Sequence, residues 1–199
     1  LTHLAETGAL VQWLPTHGLH PVDYRTVLRT FTSAFPYSSL WHSDTHTVLL
    51  ATLEPQVLDW QHLGDVFAAP EPCRLLGLAD ISDPYELVAC YMGGSEDLHR
   101  VAGRGPLNQD DLAPLQFAEA RSSLYDTAPL NLILLSRRFP ALPRIEGLPG
   151  GQMGQEVRSA LGRYLAAGLW MSRGVGLGGL GDWARAQEFF HRARALNPQ

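Results

Sequence analysis

At 199 residues the chain has room for one ordinary domain, or for part of a domain joined to a small module. Its net charge is -5 and all 15 basic residues are arginine, so it offers no broad cationic surface to a nucleic acid. The absence of lysine also excludes a Schiff-base or P-loop amine. No apolar run approaches the roughly 20 residues that span a bilayer. Cys73 and Cys90 are too few for a disulfide framework and read as buried small hydrophobes, which points to a reducing, cytoplasmic compartment. The chain opens on Leu1 rather than methionine, so its natural N-terminus is expected elsewhere.

The apolar run Ala9 to Leu14 predicts a strand buried on both faces. From Asp23 the period changes, and Tyr24, Val27, Leu28, Phe31 and Phe35 fall on one helical stripe that stops near Pro36. Ser39–Trp41 and Val48–Thr52 then flank the polar stretch His42 to Thr47, which is the pattern of a hairpin. Further on, Val57, Trp60, Leu63, Val66 and Phe67 predict a helix over 56–69, ended by Pro70-Glu71-Pro72, with a shorter one over 73–79. Ser82 and Asp83 can cap a helix that begins at Pro84 and runs to Met92, closed by Gly93-Gly94. Residues 103–117 are rich in turn formers and read as an ordered loop, followed by an apolar helix over 130–139.

The stretch 140–154 carries three prolines and four glycines, the composition of a linker. Beyond it, Asp182 can cap a helix with Ala184, Ala186, Phe189, Phe190, Ala193 and Leu196 on its apolar face. The expected organisation is a partial sheet over 1–55, a helical extension over 56–139, a linker over 140–154 and a helical module over 155–199.

Two resemblances carry these elements further. ALVQWLP, then GLHPVDYRTVLRTFTSAFP, then a strand pair ending in VLLAT, resembles the C-terminal part of the spermidine/spermine synthase family of polyamine aminopropyltransferases, in particular longer bacterial members. LNQDDLAPLQF resembles a motif that those relatives place after the sheet, with Asn108, Asp110, Asp111 and Phe117 matching and Gln116 where glutamate is usual. The fold class implied is α/β, the C-terminal part of a methyltransferase-like Rossmann sheet built as strand, helix and β-hairpin, followed by an α-helical region. The family's Gly-rich loop, ribose-holding acid and amine-binding aspartates lie upstream of the matched part. The resemblance therefore implies decarboxylated S-adenosylmethionine as the cosubstrate of the complete family protein and no catalysis by this segment alone. Its partner would be the missing N-terminal part, or another subunit along the open sheet edge.

The second resemblance is to a tetratricopeptide repeat. Pro198 falls at the closing proline, Gly181-Asp182-Trp183 at the turn, Ala186, Phe190 and Ala193 in the second helix, and Trp170 and Gly174 in the first. Such a module implies a protein partner, so an interaction scaffold is the alternative function. Gly174, Gly176, Gly178 and Gly179 would weaken its first helix by about 3–4 kcal/mol relative to alanine, so its second half is expected to fray.

Candidate functional residues follow from position. Loops after strand C-termini border the ligand crevice of a Rossmann-like sheet, which makes Gln12, Trp13, His17 and His20 the candidate pocket lining. Asp110 and Asp111 diverge as loop neighbours, so capping the segment after Leu112 or pairing with Arg104 or Arg121 suits them better than joint acid/base work. His42, Asp44 and His46 share one face if a single strand carries all three, but Ser43-Asp44-Thr45 are turn formers and a hairpin tip is the simpler account. Gly174 to Gly179 fits GxGxxG without a preceding strand, so no dinucleotide site is expected there. Trp41, Trp60, Trp170 and Trp183 are expected in packing roles. A free-standing enzyme using His17, His20, His42 and Asp44 ranks last, because no nucleophile and base stand at a recognisable spacing.

Overall fold

Strand β1 (Ala9–Pro15) leads through a loop into helix α1 (Pro21–Ala34), and the chain returns as the hairpin β2 (Tyr37–Ser43) and β3 (His46–Thr52). These elements come from a computed structural model that describes residues 4–5, 7–43, 46–111, 113–118 and 125–197. The remaining described elements are β4 (Leu58–Asp59), α2 (Trp60–Ala68), α3 (Pro70–Gly77), α4 (Pro84–Ala89), β5 (Tyr91–Gly94), α5 (Ser95–Ala102), a 3-10 turn (Pro114–Phe117), α6 (Ala128–Leu135), β6 (Ile145–Glu146), α7 (Gly151–Gly179) and α8 (Trp183–Leu196). The fold is mixed α/β.

Four strands form one sheet in the order β1-β3-β2-β5, and every neighbouring pair in it is antiparallel. Because β3 is antiparallel to both of its neighbours, β1 and β2 run the same way, joined by α1. Alternation along the strands puts Leu14, Leu40, Leu49 and Ala51 on the face that α1 covers with Tyr24, Leu28 and Phe31. Leu98 and Ala102 of α5, with Leu135, Leu165 and Leu169 from the later helices, complete that core. Full burial of each such leucine contributes about 1.5–3 kcal/mol.

The α1 stripe matches its expected periodicity, while β1 does not have the expected burial on both faces. Among the described residues it is an edge strand, with Val11 63% and Trp13 54% exposed. Of its residues only the inward Leu14 is buried.

Several helix boundaries move for identifiable reasons. Residues 56–59 are not helical: Leu58 and Asp59 pair in parallel with Ile145 and Glu146, and the Asp59 carboxylate accepts from the amides of Gln61 and His62 to start α2. Pro70 opens α3 rather than ending α2, since a proline at the first helical position gives up a donor that has no helical acceptor. The helix from Pro84 stops at Ala89, and Tyr91–Gly94 becomes a strand along β2 with an irregularity between Leu40 and Trp41. Gly93 adopts φ +144 there, and a Cβ on it would lie 2.6 Å from Asp97 Cβ. Helix α6 starts two residues before the expected Leu130 and ends at Leu135, where the Ser136 hydroxyl bonds back to the Leu132 carbonyl. The stretch 140–154, expected as a linker, holds β6 and the first turn of α7, and Ile145 is buried beside Val88 and Leu161.

The largest departure is α7, which is helical without a break through Gly179 instead of fraying. Most of its glycines from Gly154 onwards are places of close approach, Gly162 excepted. A Cβ at Gly168 would stand 2.1 Å from the Ala89 carbonyl oxygen, one at Gly174 2.4 Å from the Phe190 ring, and one at Gly179 2.5 Å from Pro129 Cγ. The propensity cost is thus offset by tight packing against α4, α8 and α6. On α8, Ala186, Phe189 and Ala193 are buried and Trp170 stacks on Phe189 at 5.1 Å. Trp183, expected to pack, is instead 64% exposed at the turn between α7 and α8. Pro198 lies outside the described residues.

Candidate functional site

The C-terminal end of β1 brings two of the four expected pocket residues together around a third group. Trp13 points outward, and its Nε1 donates to His46 Nδ1 at 3.3 Å, which leaves the ring proton of a neutral His46 on Nε2. The Trp13 and His46 rings lie 5.6 Å apart, and His17 meets His46 edge-on at 6.1 Å. His46 reaches this corner because the hairpin register places it opposite Pro15. That register is a long-range property, and this role for His46 has no local sequence signal.

Gln12 and His20 play other parts. Alternation turns Gln12 to the opposite face, where its Nε2 donates to the Trp13 carbonyl at 2.7 Å. His20 is the N-cap of α1, its Nδ1 accepting from the Val22 amide at 3.3 Å, and its ring meets Tyr125 edge-on at 6.5 Å. The loop between Trp13 and His20 is held from below. The buried Tyr24 hydroxyl donates to Thr47 Oγ1 at 2.6 Å, and Thr47 donates to the Leu14 carbonyl at 2.5 Å. Burial pushes the Tyr24 phenol well above its ordinary range, so it stays protonated and serves as a donor.

The motif loop lies further along α1. The Asn108 amide donates to Thr30 Oγ1 at 2.9 Å, and its side-chain oxygen accepts from the Leu115 amide at 3.2 Å, tying the 3-10 turn back to the loop. Arg29 adds donations to the Pro106 carbonyl at 3.1 Å and the Ala102 carbonyl at 2.6 Å. Asp110 and Asp111 are exposed in the turn between, and Leu112 and Arg121, the cap position and one of the ion-pair partners expected for them, lie outside the described residues. This loop straps α1 and does not join the Trp13 corner.

His42 and His46 do not share a face. They sit on different strands, opposite Thr47 and Ser43 respectively, so alternation sends them to opposite sides of the sheet. His42 instead meets Ser172 of α7, Nδ1 to Oγ 3.2 Å, while the Ser172 hydroxyl also donates to the Gly168 carbonyl at 2.9 Å. Asp44 lies outside the described residues, and among those described no three metal-type side chains cluster.

Two hollows lie away from this corner. One, of about 1170 Å³, runs between α4, α7 and α8, with His42, Ser172, Cys90 and Tyr164 among its lining and His191 and Arg194 on its α8 side. Burial and the nearby Glu86 push the Cys90 thiol up to about 11, which makes it a poor nucleophile at neutral pH. The other, of about 590 Å³, lies on the uncovered sheet face beside Trp41, Leu50 and Tyr91. Among the described residues no helix is long and apolar enough to cross a membrane. Comparisons with models of known families, with curated proteins and with solved structures find no match.

Proposed function

We propose that this chain is the C-terminal portion of an aminopropyltransferase-type protein, inactive by itself. The observation that supports this most is topological: β1 and β2 run in parallel through α1, and β3 is inserted antiparallel between them. Closing strands of that kind belong at the end of a larger doubly wound sheet, whose earlier strands, or another subunit, occupy the open edge of β1. In such sheets ligands bind outside strand C-termini, which is where Trp13, His17 and His46 meet. In the complete protein the cosubstrate is decarboxylated S-adenosylmethionine. This chain contributes an aromatic wall and two imidazoles, while the groups that hold the nucleoside and deprotonate the amine belong to the other part. The compartment that suits it is the cytoplasm.

The test compares the isolated chain with the longest natural polypeptide that contains it, by chromatographic assay of aminopropyl transfer from decarboxylated S-adenosylmethionine to putrescine. Transfer is expected from the longer polypeptide alone. Turnover by the isolated chain, or a longer polypeptide that neither transfers nor binds methylthioadenosine, contradicts the reading.

A second reading, a protein-interaction scaffold, draws on the α7–α8 pair. Met171 and Val175, one turn apart on α7, are both 47% exposed along the larger hollow. Charged substitutions there abolish partner capture under this reading and leave aminopropyl transfer by the longer polypeptide unchanged.

A further inference from the structure

The loop Thr16–His20 contains glycine and histidine and little apolar surface, yet one distant side chain fixes both of its ends. Asn131 of α6 donates from Nδ2 to the Thr16 carbonyl and to the Leu19 carbonyl, each at 2.8 Å, which uses both amide protons. Thr127 adds a longer donation to the Thr16 carbonyl at 3.5 Å. Asn131 is completely buried, and its Oδ1 has no partner among the described residues. A buried acceptor left unpaired is costly, so stability alone does not account for an asparagine here. What the side chain supplies is geometry.

Helix α6 is in turn fixed by α7. A Cβ at Gly176 would lie 2.9 Å from both the Pro129 carbonyl oxygen and Ile133 Cγ1, and one at Gly179 2.5 Å from Pro129 Cγ. The helical module therefore bears on α6, α6 presents Asn131, and Asn131 holds the loop that carries His17.

We propose that Asn131 is a positioning residue, through which α6 and the helical module set the Trp13–His17–His46 corner. This deepens the proposed function, since it rests on reading that corner as ligand-facing. Its test needs no ligand. In NMR spectra of the isolated chain, Asn131→Leu speeds amide exchange at residues 16–19 about tenfold or more, the expected result of losing two buried hydrogen bonds. It also shifts the Trp13 indole N–H and the His17 and His46 ring signals. Leu132→Ala, a neighbouring core truncation, lowers stability and leaves those signals in place, which separates positioning from general loosening.

Asn131→Asp loses both donors at neutral pH and regains one when the carboxyl is protonated, so acidification partly restores the loop signals. Gly179→Ala, which presses on Pro129, moves them in the same sense by a smaller amount. Loop signals unchanged in a folded Asn131 variant, or changed no more than in Leu132→Ala, overturn the proposal. Should Asn131→Leu not fold, wild-type exchange decides: residues 16–19 opening independently of α6 overturns it, and opening together with α6 supports it. If instead the loop behaves as stated and the longer polypeptide shows no ligand binding, the functional reading fails and the positioning role stands.

Discussion

The two faces of the four-stranded sheet differ in what covers them. On one, Leu14, Leu40, Leu49 and Ala51 are buried under Tyr24, Leu28 and Phe31 of α1 and the later helices. On the other, Val11, Trp13, Val48, Leu50 and Trp41 are also apolar, yet Val11 and Trp13 are mostly exposed and the rest only partly covered. An antiparallel sheet with one wet face alternates apolar and polar residues. Strands β1 and β3 carry apolar residues on both sides, as strands do when both faces are covered, whereas β2 adds three serines and a histidine. Under the proposed function, the open face and the β1 edge are where the remaining protein packs.

That contrast can be broken by substitution. Leu49→Ala, on the covered face, is expected to cost about 2–5 kcal/mol, whereas Val11→Ala on the open face costs about 0.5 kcal/mol or less. Chemical denaturation of both variants decides, and equal losses erase the distinction between the faces. A second contrast lies within α7. Gly168→Val forces a side chain against the Ala89 carbonyl and is expected to destabilise by about 1–3 kcal/mol or more. Gly162→Ala meets nothing within 4 Å and is expected to stabilise by about 0.5–1 kcal/mol. Two losses, or two gains, would show that the glycines are not sorted by contact.

The smallest effect is one of pH. Burial raises Cys90 from 9.0 to about 11 and Tyr91 from 10.0 to about 12, with Glu86 and Asp97 adding to the respective shifts. Between each ordinary value and the raised one, the unfolded chain has released a proton that the folded chain keeps, so stability falls as pH rises. The stabilisation is complete below about pH 9 and is lost progressively towards pH 12. Cys90→Ala removes the earlier part of the decline in urea midpoints measured across that range; an unchanged profile contradicts the assignment.

Local chemistry was legible in the sequence where period and capping agree. The Tyr24–Phe31 stripe, the Asp83-Pro84 helix start and the apolar face of α8 all follow from neighbours a few residues apart. Long-range geometry was not. Tyr91–Gly94 reads as a helix stop until β2 provides a partner, and α5 is too short and polar to show an extended stripe, although Asp97 accepts from the Gly94 amide at its start. The α7 glycines weaken a helix considered alone and permit one packed against α4, α6 and α8. At the candidate site Trp13 and His17 are legible from their place at the C-terminal end of a strand and in the loop beyond it, and the structure brings their rings to His46. His46 depends on hairpin register and Asn131 on a contact 115 residues away in sequence, and neither leaves a local trace.

The most direct test of the open surface is light scattering on the isolated chain. An uncharged, unpaired edge strand invites association, and lysine on such an edge suppresses it. The chain is expected to self-associate, and Val11→Lys with Trp13→Lys to return it to a monomer. A wild-type chain that is a stable, monodisperse monomer at high concentration contradicts the claim that this edge and face await a covering partner.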